Sequence, residues 1–158
     1  MTSYLQNIRK KIGNDMLQIA TADWLIIQDD KLLLQERAGE NIWGMIGGMI
    51  EPGETIVEAA VREAQEEAGL TIHSQELFGI YAGKEFQATY PNNDQVSPVK
   101  IVFITEDFSG TLQCDEEGES LQFFHISKLP LDIHHTHIPV INDYIAYKAS
   151  KLNIPVVT

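Results

Sequence analysis

Apolar residues fill positions 17–27 and again 31–35, and Asp29-Asp30 between them supplies turn chemistry, so the pattern predicts two adjacent strands joined as a hairpin. Further apolar runs at 77–81, 86–90, 99–105 and 121–125 predict strands, separated by turn-prone segments such as Pro91-Asn92-Asn93-Asp94. Helical spacing is weaker at the two ends of the chain. Residues 3–12 form a short amphipathic pattern stopped by Gly13-Asn14-Asp15, and 139–151 reads as a closing helix. The strongest helix signal lies between them. Thr55 and Glu58 match a capping box, Val57, Ala60, Val61, Ala64 and Ala68 keep one apolar seam, and Gly69 stands where a C′ glycine belongs. Strands outnumber helices without strict βαβ alternation, which favours an α+β fold over a doubly wound sheet. Residues 1–158 read as a single domain with 1–14 as an N-terminal accessory, and no internal repeat or linker interrupts them.

Composition narrows the function classes. With 44% hydrophobic and 22% charged residues the chain has the balance of a globular domain with a packed core. A formal charge of -12 repels nucleic-acid backbones and anionic lipid, so neither nucleic acid nor membrane is an expected partner. The same charge permits phosphate binding only where a cation reverses the local field. Cys114 is the lone cysteine, which excludes an intramolecular disulfide and a cysteine zinc cluster. No 18-residue apolar stretch or signal-type run occurs, and a reducing cytoplasm is the expected location.

Glu63, Glu66 and Glu67 stand at i, i+3 and i+4 on the predicted helix, so their carboxylates project from one side. Like charges at that spacing each cost roughly 0.2–0.5 kcal/mol, and the helix C-terminus disfavours anions by roughly 0.3–1 kcal/mol more. Such an arrangement suggests a cation, and hard carboxylate oxygens are the ligands that magnesium and manganese prefer. On the helix alone, a solvated acidic face is an equal reading.

The wider spacing separates the two. Gly48, five residues, Glu54, seven residues, Arg62-Glu63-Ala64-Gln65-Glu66-Glu67-Ala68-Gly69-Leu70 resembles without a gap the Nudix box, G-x5-E-x7-R-E-U-x-E-E-x-G-U with U apolar, over residues 48–70. The segment Trp43-Gly44-Met45-Ile46-Gly47-Gly48 resembles the lead-in to many such boxes, with Ile46 where proline is common. Resemblance to the stand-alone bacterial Nudix pyrophosphohydrolases implies a mixed β-sheet sandwiched between α-helices. It implies that Glu63, Glu66 and Glu67 hold Mg2+ or Mn2+, with the Gly48 carbonyl as a backbone ligand, and that Arg62 orients the box by pairing with Glu54 two turns away on one helix stripe. A further glutamate from a later loop often serves the family as base or ligand. Glu117 is the first choice within Asp115-Glu116-Glu117-Gly118-Glu119, ahead of Glu116 and Glu119.

Outside the box, Arg37 is a candidate phosphate contact and Trp43, Tyr81, Phe86 and Tyr90 are candidates to stack on a base, although strand aromatics more often pack in a core. Trp43 and Tyr90 join Arg37 as the substrate-binding set. His134, His135 and His137 lack a fourth zinc ligand at structural spacing, and a loop before the final helix explains them without a ligand role. The expected function is pyrophosphohydrolysis of a nucleoside diphosphate linked to another moiety. Ordinary or modified nucleoside triphosphates, which would release a nucleoside monophosphate, stand ahead of ADP-ribose or nucleotide sugars. A non-catalytic Nudix-fold nucleotide sensor and an acidic interaction protein are the rivals, and a homodimer is left open.

Overall fold

The computed structural model describes residues 4–116 and 118–158. Its elements are α1 (Tyr4–Ile12), β1 (Leu17–Gln28), β2 (Lys31–Arg37), β3 (Trp43–Gly44), β4 (Ile46–Met49), α2 (Ile56–Ala68), β5 (Leu70–Ile72), β6 (Glu76–Tyr81), β7 (Ala88–Thr89), β8 (Gln95–Thr105), β9 (Phe108–Gly110), β10 (Gly118–His125), α3 (Ile138–Lys148) and β11 (Val156–Val157). The main sheet runs β10-β2-β1-β8-β6-β11, with β3 added to β2, β4 to β1 and β7 to β8. It is mixed: β1 lies parallel to β8 from Leu17↔Val96 to Ile26↔Thr105, whereas β1 pairs antiparallel with β2 and β4.

The β1–β2 hairpin turns on Asp29 and Asp30, at φ 49° and 58°. Two successive residues in the left-handed region make the turn whose twist matches antiparallel strands, and aspartate tolerates that region better than branched residues do. Residues 21–27 of β1 are buried without a break because both sheet faces are covered. Trp24 and Ile26 face α2, packing with its Ala59, Ala60, Ala64 and Ala68. Leu25 and Ile27 face the other way, towards Val140, Ile141 and Tyr144 of α3. The alanine seam lets α2 approach closely enough for the Trp24 indole to donate to the Ala60 carbonyl at 2.6 Å.

Helix α2 begins and ends where its sequence predicts. Thr55 accepts from the Glu58 N–H, Glu58 accepts from the Thr55 N–H, and Gly69 at φ 70° closes the C-terminus. Caps of this kind are each worth about 1 kcal/mol. The N-terminal helix spans Tyr4–Ile12, Ser3 lying outside the described residues, and α3 ends at Lys148.

One expected strand is shortened and several short ones are added. Residues 86–90 hold the end of a 3-10 turn, Lys84–Phe86, and then the two-residue strand β7, because Phe86 turns into the core instead of pairing. The short strands β3, β4, β5, β9 and β11 carry too few residues for alternation to register. Strand β1 pairs β4 over Thr21–Trp24 and β2 only at Ile27–Gln28, so its edge changes partner midway. The site opens along that divide.

Candidate active site

A cavity of about 570 Å³ lies over β1, β4 and β8, and α2 supplies one wall. Glu63, Glu66 and Glu67 all line it, together with Gly47 and Gly48. Glu63 and Glu67 are each only 9% exposed, while Glu66 is open to solvent. The Gly47 N–H donates to Glu67 Oε2 at 2.8 Å. The Glu63 carboxylate sits directly over Gly48, where an added Cβ would meet Oε1 at 2.5 Å. Two glycines bring backbone against two carboxylates that would otherwise be displaced.

Arg62 ties the acidic face together. Its Nε and Nη2 donate to the two oxygens of Glu54 at 2.6 and 2.9 Å, and Nη1 donates to Glu63 Oε1 at 2.6 Å and Glu66 Oε2 at 3.0 Å. A further bond runs from Nη2 to the Met49 carbonyl at 3.1 Å. The paired guanidinium lowers the Glu54 pKa to about 2, and the Arg62 pKa is raised in turn, chiefly by Glu54. The pair is therefore present, but not on one helix stripe: Glu54 precedes the Thr55 N-cap, and Arg62 reaches back to the turn that links β4 to α2. Glu54 also accepts from the Glu51 N–H at 2.9 Å, so the clamp fixes that turn.

The donor chemistry of this wall fits a hard divalent ion. Among the described residues no three side chains already form a complete cage. Magnesium does not require one, because it commonly takes one or two carboxylates and keeps several waters.

The remaining candidates divide. Arg37, at the end of β2, and Tyr90 line the cavity. Trp43 packs edge-on to Phe124 with centroids 4.7 Å apart and belongs to the core beneath α3, off the cavity wall. Tyr81 is core and donates to Asp143 at 3.1 Å, whereas Phe86 is core and also touches the cavity. Glu117 lies outside the described residues. Its neighbour Asp115 lines the cavity and accepts from the Gly118 N–H at 3.1 Å, while Glu116 and Glu119 are exposed.

Sequence reasoning missed a second polar group on the cavity lining. Lys100 on β8 donates to Asp23 on β1 at 2.9 Å, and Thr21 donates to the other Asp23 oxygen at 2.6 Å, all three lining the cavity. A charged residue inside each of two apolar runs was the available signal. His134 and His137 line the same cavity. Burial lowers the His134 pKa to about 4 and holds that of His137 well below the ordinary imidazole range, with the Arg37 and Lys100 charges adding to both shifts.

Those shifts carry a stability prediction. Both imidazoles titrate near 6.5 when unfolded and lower when folded, so below pH 6.5 the unfolded chain takes up protons that the native state refuses. Stability is expected to fall as the pH drops from 6.5 towards about 4, the folded value for His134. The slope reaches about 1.4 kcal/mol per pH unit for each imidazole held neutral. Urea midpoints across that range check it, and His137→Gln should flatten the curve.

A profile of the NUDIX domain matches residues 17–144. The chain is 34% identical over 130 residues to an ADP-ribose pyrophosphatase of Methanocaldococcus jannaschii, covering 80% of this chain and 72% of that protein. It is 34% identical over 116 residues to the human 8-oxo-dGDP phosphatase NUDT18, covering 71% of this chain but only 32% of that larger protein. Among solved structures, that of a UDP-X diphosphatase superposes with a TM-score of 0.72 at 23% identity over 98% of this chain and 73% of its own, a likeness of fold. With its box glutamates gathered on one cavity wall, the chain belongs to the Nudix hydrolases, enzymes that act on phosphoric anhydrides.

Proposed function

We propose that the chain is a Mg2+- or Mn2+-dependent pyrophosphohydrolase of a nucleoside diphosphate linked to another moiety, foremost an ordinary or modified nucleoside triphosphate. The observation that carries this reading is the burial of Glu63 and Glu67 against the Gly47-Gly48 backbone within one cavity. An acidic face meant only for solvent would not place two of its carboxylates there. The Gly48 carbonyl, Glu63, Glu66 and Glu67 would hold the ion. A bound divalent ion supplies charge neutralisation at the diphosphate and a water of lowered pKa. Arg62 and Glu54 position the acidic face, and Arg37, which also lines the cavity, binds phosphate. A glutamate accepts the proton of the attacking water: Glu67, or Glu117, two residues along the chain from the cavity-lining Asp115. The products are a nucleoside monophosphate and the remaining phosphorylated fragment.

ADP-ribose is the second reading, favoured by the Methanocaldococcus jannaschii relative, which aligns over most of its own length. A non-catalytic sensor is disfavoured because every box carboxylate is retained. No helix among the described residues is long and apolar enough to cross a membrane, and the free Cys114 accords with the reducing cytoplasm we assign to it. A panel of nucleoside triphosphates, ADP-ribose and nucleotide sugars, followed by phosphorus NMR with magnesium and with EDTA, tests the function. Magnesium-dependent cleavage confined to one class is expected. Binding without turnover across the panel would favour the sensor.

Helix α1 forms part of this site. Leu5 lines the cavity, and Arg9 fastens the helix to the Asp15 and Gln95 carbonyls at 2.8 Å each. Deleting residues 1–14 removes about 1 kcal/mol of apolar contact with substrate. KM is expected to rise about 5-fold with kcat changed less than about 2-fold. Steady-state kinetics of the truncated protein checks this.

A further inference from the structure

Besides the glutamates, the cavity lining holds hydrogen-bond donors, and His137 and Lys100 give it a donor wall. His137 is 4% exposed, and its Nδ1 accepts the Met45 N–H at 2.9 Å. The ring proton is therefore on Nε2. A Cβ on Gly44 would stand 3.1 Å from Cε1 and 3.2 Å from Nδ1, so the ring is seated tightly on β3. Among the described residues the ring makes no second hydrogen bond, and it lines the cavity, where Nε2–H is available to a ligand.

Lys100 completes the wall. Its side chain is 6% exposed and that of Asp23 4%, a pair withdrawn from water on the cavity lining. A buried ion pair contributes little net stability against an apolar replacement, so its presence beside a cavity calls for another reason. Thr21 and Lys100 occupy both Asp23 oxygens, which leaves Lys100 further N–H groups to offer. Lys100, His134 and His137 line the same cavity. Ala88, Val96 and Pro98 supply an apolar flank on β7 and β8.

We propose that this wall selects the base of the substrate: a flat ring lies against Ala88, Val96 and Pro98 and accepts hydrogen bonds at its edge from Lys100 Nζ and His137 Nε2. The assignment rests on the nucleotide-hydrolase reading above and adds a specificity to it. An exocyclic oxo group accepts from these donors, whereas an exocyclic amine would point hydrogens at hydrogens. Oxo bases are therefore bound in preference to their amino counterparts, and adenine is the disfavoured purine.

Inosine and adenosine triphosphates form a matched pair that differs at this edge. Calorimetry with their non-hydrolysable analogues in magnesium is expected to show inosine binding about 10-fold more tightly, the effect of one mismatched polar contact. Lys100→Met should reduce the ratio to less than about 3-fold by weakening inosine alone. Equal binding by the wild type, or binding of neither analogue, overturns the proposal. So does a Lys100→Met protein that loses affinity for both analogues alike, since its ammonium would then serve phosphate. Because that variant strands Asp23, the double variant Asp23→Leu/Lys100→Met serves if it fails to fold. Turnover of the natural pair separates the two readings. A binding preference without hydrolysis retains the subsite and rejects the hydrolase, while hydrolysis at equal kcat/KM with equal binding does the reverse.

Discussion

Glu67→Gln is expected to lower kcat on any accepted nucleotide by about 10³-fold while leaving the fold intact. The amide has the shape of the carboxylate, and its oxygen still accepts the Gly47 N–H that Glu67 Oε2 accepts at 2.8 Å. What disappears is the charge, and with it the basicity and the anionic ligand that the proposed reaction asks of Glu67. Relief of repulsion from Glu63 and Glu66 offsets any lost contact, so the thermal midpoint should stay within a few degrees. Steady-state hydrolysis alongside circular dichroism checks both halves. Activity within about 3-fold of wild type would remove Glu67 from the chemistry.

The second large effect falls on stability. Gly47 has φ 144°, and a Cβ there would stand 2.5 Å from the Ala22 carbonyl oxygen and 2.6 Å from the Asp23 Cα. Those atoms belong to β1, the strand that pairs β4 on one edge and β8 on the other. Neither side can yield cheaply. Strain and overpacking together put Gly47→Ala at about 4 kcal/mol of lost stability, a large part of an ordinary domain's total. Urea denaturation measures it.

Gly48→Ala provides the contrast one residue later. There the added methyl meets the Glu63 carboxylate rather than backbone. The side chain can swing aside, so stability should fall by less than half as much while activity drops about 10²-fold. Similar losses of stability in the two variants would contradict this division between a glycine for the fold and a glycine for the site.

The legible features were those whose causes are local. Thr55, Glu58 and Gly69 fix the ends of α2 through bonds a few residues apart, and the three glutamates follow from helical geometry. The Asp29-Asp30 turn is equally local. The resemblance paired Arg62 with Glu54 correctly, yet the pair joins a helix to the turn before it. The shared helix stripe was the error, since Glu54 stands one residue before the Thr55 N-cap.

What escaped the sequence depends on chain segments that meet only after folding. Lys100 and Asp23 are 77 residues apart, and His137 reaches Met45 across 92. A charge within an apolar strand run announces that something polar is buried there, but not what answers it. The histidines looked like loop residues because nothing local marks an imidazole as a backbone acceptor. Residues 86–90 show the converse: their apolar content reads as a strand, and Phe86 satisfies it by entering the core from a turn.

Divalent-ion binding by the acidic wall is the most direct test of the central claim. Titration of the protein with Mn2+ in the presence of a non-hydrolysable nucleotide, followed by electron paramagnetic resonance, reports bound ion without needing turnover. The wild type is expected to bind, and Glu63→Gln/Glu67→Gln to bind at least about 10-fold more weakly. Equal Mn2+ affinity in the two proteins, or no bound Mn2+ in the wild type, would contradict a site built to hold a cation against a phosphoanhydride.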